Sequence, residues 1–246
     1  MNITILGSGD AFGSGGRFST CLHLAASDGT TMLVDCAATS MPALNRAGID
    51  RNAISAILFT HFHGDHFGGL PFFVLDAQFV TRRRTPLVVA GPPGVAQRAH
   101  AALEAAFPGS ATARRAFEID YVEIAPDGPA EVAGADIEAF AMVHDDRAGP
   151  CLGYRIARDG KVFAYSGDTA WTDTLVPLAR DADALLIECY TVDRKLPNHL
   201  DYETLEQHLR ELTARRIILT HMSSAMLDHA GALACERAYD GMAIAL

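Results

Sequence analysis

The chain has 246 residues, 49% of them hydrophobic, which is enough for a large domain with a full core and excludes a disordered protein. Its formal net charge of −10 argues against a protein that coats nucleic acid or an anionic membrane through a basic face. No apolar stretch approaches the roughly 20 residues of a membrane span, and the first residues lack the pattern of a signal peptide. We therefore expect no membrane partner and a cytoplasmic location.

The first half of the chain alternates predicted strands and helices. Strands are expected over 2–6, 20–25, 31–34, 54–59 and 87–90, and helices over 40–47, 68–80 and 95–107. The segment 27–30 is a hairpin signal between the second and third strands. A glycine-rich segment over 7–16 follows the first strand, but Phe12 interrupts it and strand-like sequence follows, so a dinucleotide-binding motif is rejected.

The second half of the chain repeats this theme of strands followed by helices. Strands are expected over 117–124, 130–132, 137–143, 151–157, 162–165, 184–188 and 216–219, and helices over 172–180, 202–214 and 224–236. No linker or change of composition separates the two halves. We predict an α/β fold in which two sheets face each other with helices outside, a four-layer αββα sandwich. It is interpreted as a single domain over 1–246 made of two related halves.

A dense group of metal-binding side chains follows the predicted strand 54–59 directly. The group consists of His61, His63, Asp65 and His66. His61 and His63 are two positions apart rather than four as in a helical zinc motif, and Gly64 favours a tight loop. The first pair could bind one ion, and Asp65 and His66 a neighbouring one. Because imidazole and carboxylate suit zinc, iron or manganese and no cysteine is present, the group predicts an open, catalytic metal site.

Three further candidate ligands each follow a predicted strand. They are His144, Asp168 and His221. Proteins of the α/β class place their chemistry where buried strands end and loops begin. We therefore expect these side chains to meet the first group at one edge of the sheets.

The order of these motifs resembles the metallo-β-lactamase superfamily, and within it ribonuclease Z and its small phosphodiesterase relatives. The motifs are His-x-His-x-Asp-His at 61–66, then His144, Gly167-Asp168-Thr169 and Leu219-Thr220-His221. The resemblance spans nearly the whole chain and implies an αββα sandwich with a two-metal site between the sheets. It implies that His61, His63 and His144 hold the first metal, that Asp65, His66 and His221 hold the second, and that Asp168 bridges the two.

Departures from the ribonuclease pattern concern the substrate. The segment after Gly91-Pro92-Pro93-Gly94 is too short for the arm by which many of those ribonucleases clamp tRNA, and the chain reads Asp35-Cys36-Ala37 where they usually have Asp-Cys-Gly. Together with the charge of −10, this predicts a small-molecule substrate rather than long RNA. The resemblance also suggests a homodimer.

The expected chemistry is hydrolysis at two divalent ions, with Zn²⁺ favoured and Mn²⁺ or Fe²⁺ as alternatives. Two such ions about 3.5–4 Å apart can hold a bridging hydroxide and neutralise charge on a substrate. We therefore predict a dinuclear metal-dependent hydrolase that acts as a phosphodiesterase on a small or nucleotide-like substrate. Two alternatives stay open: hydrolysis of a lactone, thioester or β-lactam, and a non-catalytic metal-containing binding or accessory protein.

Two residues are the candidates for proton transfer. His199 resembles the position of a non-ligand histidine that ribonuclease Z relatives use to contact phosphate and donate a proton, and it is the predicted general acid. Asp65 is the predicted base that orients the hydroxide. Asp35 could hydrogen-bond a ligand from outside the site, or it could be a plain turn residue. The run 82–84, three arginines, is interpreted as a solvated helix terminus.

Overall fold

The computed structural model describes residues 1–126 and 128–246, and its strands form two seven-stranded sheets. The strands are β1 (Asn2–Gly7), β2 (Cys21–Ala25), β3 (Thr31–Val34), β4 (Ile54–Leu58), β5 (Leu87–Gly91), β6 (Ile119–Glu123), β7 (Pro129–Val132), β8 (Ala135–Ala141), β9 (Leu152–Arg158), β10 (Lys161–Tyr165), β11 (Ala184–Glu188), β12 (Ile217–Thr220), β13 (Glu236–Arg237) and β14 (Met242–Ala245). The first sheet has the order β14-β1-β2-β3-β4-β5-β6, and the second has the order β13-β12-β11-β10-β9-β8-β7.

Seven α-helices are present in the described part of the chain. They are α1 (Ser40–Ala47), α2 (Gly64–Phe67), α3 (Leu70–Phe79), α4 (Val95–Ala106), α5 (Leu175–Ala179), α6 (Tyr202–His208) and α7 (Ser224–Asp228). Helix α1 ends where Gly48 adopts a left-handed conformation, and α3 carries a proline in its first turn, as the sequence predicted. Within the described residues, none of these helices combines the length and the apolar character needed to cross a bilayer.

Three apolar cores define the layers of the fold. The central core joins side chains of both sheets, such as Leu58 of β4 and Leu186 of β11. A second core lies between the first sheet and helices α1, α3 and α4, and a third lies between the second sheet and helices α5, α6 and α7. Because the sheets bury one face against each other and the other face under helices, the predicted αββα sandwich is confirmed.

The two sheets share one pattern of strand directions. In each sheet, three neighbouring pairings are antiparallel and the other three are parallel. Strands β3 and β4 of the first sheet are parallel, and so are β10, β11 and β12 of the second. The carboxyl ends of these strands therefore lie together at one edge of each sheet. The relation between the two halves of the chain stays a prediction.

The structure differs from the sequence-based elements mainly near the chain's end. The predicted helix 224–236 ends at Asp228, because His229 has an extended backbone, and a short strand follows at Glu236–Arg237. Strand β14 was not predicted, and it pairs with β1 from more than 200 residues away. Strand β6 was predicted with the second half but forms the outer edge of the first sheet.

The arginine run over 82–84 is not wholly solvated, which corrects the sequence-based interpretation. The side chain of Arg83 is buried, with 2% of its surface exposed. Its guanidinium donates to the backbone carbonyls of Thr85 at 2.9 Å and Pro86 at 2.7 Å. Arg83 therefore ties the segment after α3 to the beginning of β5, whereas Arg82 and Arg84 are exposed.

Candidate active site

The ends of four strands bring the predicted ligands to one place. His61 lies just after β4, His144 after β8, Asp168 after β10 and His221 directly after β12. All seven predicted ligands fall into two groups of side chains whose ligand atoms lie within 4.8 Å of one another. The expectation that side chains following buried strands meet at one edge of the sheets therefore agrees with the positions of these residues.

The segment around Gly64 differs from the expected tight loop. Gly64 begins the short helix α2, and His63 precedes it in an extended conformation, with its carbonyl accepting from the backbone N–H of His66 at 3.0 Å. Asp65 and His66 are therefore helical, whereas His61 and His63 precede the helix. This change of backbone direction separates the two pairs, so that His61 and His63 belong to one ligand group and Asp65 and His66 to the other.

The first group consists of His61, His63 and His144. His63 Nδ1 lies 3.1 Å from His61 Nε2 and 3.1 Å from His144 Nε2. Tetrahedral zinc with bonds of about 2.0–2.1 Å places its ligand atoms roughly 3.3 Å apart, so these three nitrogens fit one ion. Burial lowers the pKa of His61 well below its ordinary value and also lowers that of His63, which favours the neutral rings that a metal requires.

The second group consists of Asp65, His66, Asp168 and His221. His66 Nε2 lies 3.2 Å from Asp168 Oδ1, and His221 Nε2 lies 3.2 Å from Asp65 Oδ2 and 3.3 Å from Asp168 Oδ2. Asp168 Oδ2 also lies 3.9 Å from His144 Nε2, so this carboxylate reaches both groups. Its position is that of a side chain shared between two adjacent sites.

Three buried polar atoms of the second group have no hydrogen-bond partner in the described structure. Two of them, His66 Nε2 and Asp168 Oδ1, face each other, and the third is His221 Nδ1. A buried polar atom without a partner costs about 1–3 kcal/mol, so its presence in a well-packed fold calls for a ligand. A cation placed between His66 Nε2 and Asp168 Oδ1 satisfies both of these atoms, and the donor set therefore fits a metal ion.

The histidines and carboxylates of the second group shift one another's pKa values. Burial alone lowers the pKa of His66, but the carboxylates around it, Asp168 first, raise that pKa well above its ordinary value. Burial likewise lowers the pKa of His221, yet Asp168, Asp65 and Glu188 together raise it to about 10. Burial raises the pKa of Asp168, and the neighbouring His221 and His66 bring it well below its ordinary value. The carboxylates therefore create a negative potential that favours bound cations.

The outer nitrogens of the candidate ligands are held by oxygen atoms. His144 Nδ1 donates to the backbone carbonyl of Asn198 at 2.8 Å, and His66 Nδ1 donates to Asp35 Oδ2 at 2.8 Å. His61 Nδ1 lies 3.1 Å from the hydroxyl oxygen of Thr60. An oxygen that fixes the outer N–H turns the inner Nε2 inwards, which is how proteins orient metal-binding histidines.

Asp35 is fully buried beneath this site. Besides His66, its carboxylate accepts from the backbone N–H of Thr60 at 2.8 Å. The expectation that Asp35 hydrogen-bonds a candidate ligand is thus confirmed. Its backbone is left-handed, with φ of 58°, and so is that of His221, with φ of 55°. Such backbone conformations are costly for residues other than glycine and are concentrated at functional sites.

Glu188 is a site residue that the sequence analysis missed. It ends β11, is fully buried, and its carboxylate hydrogen-bonds His199 Nδ1 and lies 3.4 Å from His221 Nδ1. Burial lowers the pKa of His199, but the hydrogen bond to Glu188 and the negative charges of Glu188 and Asp168 together raise this pKa above its ordinary value. A charged residue closing the apolar run Ala184–Glu188 was a signal of the same kind as those at Asp168 and His221.

The site opens into a cavity of about 130 Å³. Its lining combines ligand candidates with side chains from two loops, the one after β1 and the one between β11 and α6. The lining residues are Asp10, Ala11, Phe12, His63, Asp65, His144, Asp168, Tyr190, His199 and His221. A larger cavity of about 620 Å³ lies outside the second sheet, along β7 to β10, and contains none of these residues. The candidate metal groups therefore belong to the smaller cavity alone.

Two facing sheets carry this histidine and aspartate centre at their common edge, and ribonuclease Z relatives at 23–33% identity together with similar solved structures identify a hydrolase of the metallo-β-lactamase fold, related to ribonuclease Z. The sequence model of one family, described as "Anti-Pycsar protein Apyc1", matches residues 1–237. The chain belongs to this family.

Individual relatives agree with the fold. Ribonuclease Z of Mycobacterium tuberculosis strain H37Rv is 33% identical over 208 residues, which cover 79% of this chain and 70% of that protein. Human tRNase Z, short form (ELAC1), superimposes with a TM-score of 0.80 at 22% identity, over 100% of this chain and 99% of its own. A diphosphatase from the PhnP family superimposes with a TM-score of 0.78 at 20% identity, over 100% and 97% of the two chains.

Proposed function

We propose that this protein is a dinuclear metal-dependent phosphodiesterase that acts on a small, nucleotide-like substrate. The observation that carries the proposal is the pair of adjoining ligand groups that share Asp168, with the inner nitrogens of their histidines directed at one another and at the two carboxylates. In support, the names of its relatives include a ribonuclease and a diphosphatase, both of which cleave bonds between phosphorus and oxygen.

The proposed ligand sets follow the two groups. His61, His63 and His144 would hold one ion, Asp65, His66 and His221 the other, and Asp168 both. Zn²⁺ is favoured because imidazole predominates, while Mn²⁺ and Fe²⁺ accept the same donors. When bound, two divalent ions lower the pKa of water and neutralise charge on a phosphate.

His199 is the proposed general acid. Its Nδ1 is held by Glu188, and its ring lies at the cavity wall 5.0 Å from the ring of His144, so its Nε2 is the proton-bearing atom left for a substrate. Because Glu188 raises the pKa of His199, the ring holds its proton to a higher pH than an ordinary histidine does. It can then transfer that proton to the oxygen that leaves phosphorus.

Asp65 is the proposed residue that orients the attacking water. Its Oδ2 accepts from His221 Nε2 at 3.2 Å, and the side chain lines the cavity. A carboxylate at this position can accept a hydrogen bond from a water molecule that approaches phosphorus from the side opposite the leaving oxygen.

A small substrate is supported by the shape of the site. The cavity of about 130 Å³ is below the roughly 300–1,000 Å³ of pockets that enclose a drug-sized ligand. Gly94 leads directly into α4, so the described chain has no protruding arm at that point. With a net charge of −10, the surface also lacks the excess of basic residues that long RNA requires.

Hydrolysis of bis-p-nitrophenyl phosphate by the zinc-loaded protein tests the proposed function. We expect turnover that is abolished in His61→Ala, because one ion loses a ligand. His100→Ala is the matched control, since His100 is exposed and belongs to neither ligand group. Equal turnover in wild type and His61→Ala would refute the metal mechanism, and no turnover by the fully loaded wild type would refute phosphodiester hydrolysis.

We also propose that two copies of the chain associate through α3. One face of this helix packs into the core, yet the opposite face exposes Phe72 at 47% and Phe79 at 63%, followed by Val80 at 67%. A helix that is apolar on all sides is normally buried on all sides. A homodimer in which α3 packs on its symmetry mate would cover this face.

Light scattering coupled to size exclusion tests this association. We expect the wild type to have the mass of a dimer and the double variant Phe72→Asp with Phe79→Asp to have that of a monomer. Tyr239→Asp is the control, because Tyr239 is an exposed aromatic residue away from α3. A monomeric wild type, or a double variant that stays dimeric, would show that α3 is not the interface.

A further inference from the structure

The size of the cavity limits how much of a nucleotide it can enclose. Its volume of about 130 Å³ lies directly over the two ligand groups, where a phosphate would bind. A phosphate with a sugar and a base needs a larger space, comparable to the roughly 300–1,000 Å³ of fully enclosing sites. If the proposed function holds, the base must therefore lie outside the cavity, against its rim.

The rim carries one strongly exposed aromatic side chain. Phe12 is 81% exposed, the highest value among the exposed large hydrophobic residues of the described chain, and it lines the cavity together with Asp65 and His221. Exposed phenylalanine on a monomer surface gains nothing for folding, whereas an aromatic ring beside a phosphate site offers a planar surface to a base.

The loop beneath Phe12 is anchored rather than loose. The buried carboxylate of Asp10 accepts from the backbone N–H groups of Phe12 at 3.1 Å and Ser14 at 3.0 Å, and from the Ser14 hydroxyl at 2.7 Å. Gly15 has a φ of 66° and packs so closely on Leu227 of α7 that a Cβ atom would come within 2.8 Å of that side chain. The loop therefore holds Phe12 at the rim on a fixed base.

We propose that Phe12 is the base-stacking residue of this site, and that its ring packs on the base of a nucleoside phosphodiester whose phosphorus lies over Asp65 and Asp168. This inference rests on the proposed phosphodiesterase activity and specifies its substrate class. Water adds to phosphorus, the bond to the leaving oxygen breaks, and the base keeps its contact with Phe12 throughout. Phe12 thus determines specificity through binding and takes no part in proton transfer.

A pair of substrates with one leaving group tests the proposal. Thymidine 5′-(p-nitrophenyl phosphate) and methyl p-nitrophenyl phosphate both release p-nitrophenolate, so the ratio of their kcat/KM values reports on the nucleoside alone. Phe12→Ala should lower this ratio about tenfold, chiefly through KM, and Phe12→Tyr should restore it. Tyr239→Ala, a change of an exposed aromatic residue outside the cavity and away from α3, should leave the ratio unchanged.

The outcomes separate the inference from the proposed function. An unchanged ratio in Phe12→Ala, or an equal loss with both substrates, would overturn base stacking while leaving phosphodiester hydrolysis intact. A wild type that cleaves neither substrate would overturn the proposed function instead.

Fluorescence provides a readout that does not depend on turnover. The chain has a single tryptophan, Trp171, so Phe12→Trp adds one reporter at the rim. Thymidine 5′-monophosphate should quench the added fluorescence of the zinc-loaded variant, whereas methyl phosphate should not, and wild type should respond to neither. Equal responses to the two ligands would contradict stacking.

Discussion

The buried floor of the cavity, formed by the candidate ligands and Asp35, differs from its rim, which carries Phe12 and Asp145, in how the side chains are held. On the floor, His66 and Asp35 are fully buried and joined at 2.8 Å, and Asp35 is fixed in turn by the backbone of Thr60. At the rim, Phe12 is exposed, and Asp145 is partly exposed and 3.7 Å from His63 Nε2, beyond hydrogen-bonding distance.

This difference separates two tasks. Buried, fully paired side chains fix the positions of ligand atoms to within a narrow range, which a metal site requires. The rim side chains named here are exposed or partly exposed, so they can differ in shape and polarity without disturbing the buried ligand atoms, which suits selection among substrates. We therefore expect floor substitutions to reduce turnover of every substrate, and rim substitutions to change preference among substrates.

The largest effect is expected for the carboxylate shared by both groups. Asp168→Ala removes a side chain that faces both His66 and His221, and should lower kcat/KM for bis-p-nitrophenyl phosphate more than about 1,000-fold, well above the roughly 10–100-fold cost of losing an outer partner. Metal content measured by mass spectrometry should fall as well. Retention of full metal content together with turnover would contradict the shared role.

The next effect concerns the proposed acid. His199→Ala should slow hydrolysis of a substrate with an alkoxide leaving group about 100-fold, and should slow release of p-nitrophenolate much less, because that anion leaves without a proton. Steady-state rates with methyl and p-nitrophenyl esters of the same phosphate measure the contrast. An equal loss with both leaving groups would point to a binding role for His199.

The Glu188 carboxylate should tune the pH dependence of that step. Activity that depends on protonated His199 falls as pH rises through its pKa. Glu188 raises this pKa, so Glu188→Gln should move the alkaline limb of the plot of kcat against pH to lower pH. The values of kcat at acidic pH should change less. A limb that stays in place would show that another group controls it.

The smallest effects are expected for two carboxylates that contact candidate ligands without being ligands themselves, Asp35 on the floor and Asp145 at the rim. Asp35→Asn places an amide N–H₂ or a weaker acceptor against His66 Nδ1, and should weaken metal binding about 10–100-fold. Asp145→Asn alters a contact of 3.7 Å at a partly exposed side chain, and should change metal affinity less than about threefold. Competition with a chromogenic chelator measures both. Similar losses would mean that burial does not distinguish floor from rim.

The sequence predicted the floor far better than the rim. His144, Asp168 and His221 were predictable because each follows an apolar strand, and parallel strands in a sheet end at a common edge. Glu188 was missed because it is the last residue of its strand rather than a loop residue, and its partners lie 11 and 33 positions away. Its role becomes visible only when His199 and His221 are placed beside it.

The rim and the chain's end could not be predicted for a different reason. The loop that carries Phe12 depends on Asp10 hydrogen bonds and on the contact of Gly15 with Leu227, which are tertiary contacts without periodicity. Strand β14 has four residues and acquires its conformation by pairing with β1. The helix α2 was predicted as a loop because Gly64 was expected to need the conformational freedom that it does not use here.

Titration of the metal-free protein with Zn²⁺, with turnover of bis-p-nitrophenyl phosphate followed at each addition, tests the dinuclear site most directly. The two ligand groups joined by Asp168 predict two equivalents bound per chain, with most of the activity appearing between the first and the second. Full activity after one equivalent, or no activity after two, would contradict the account.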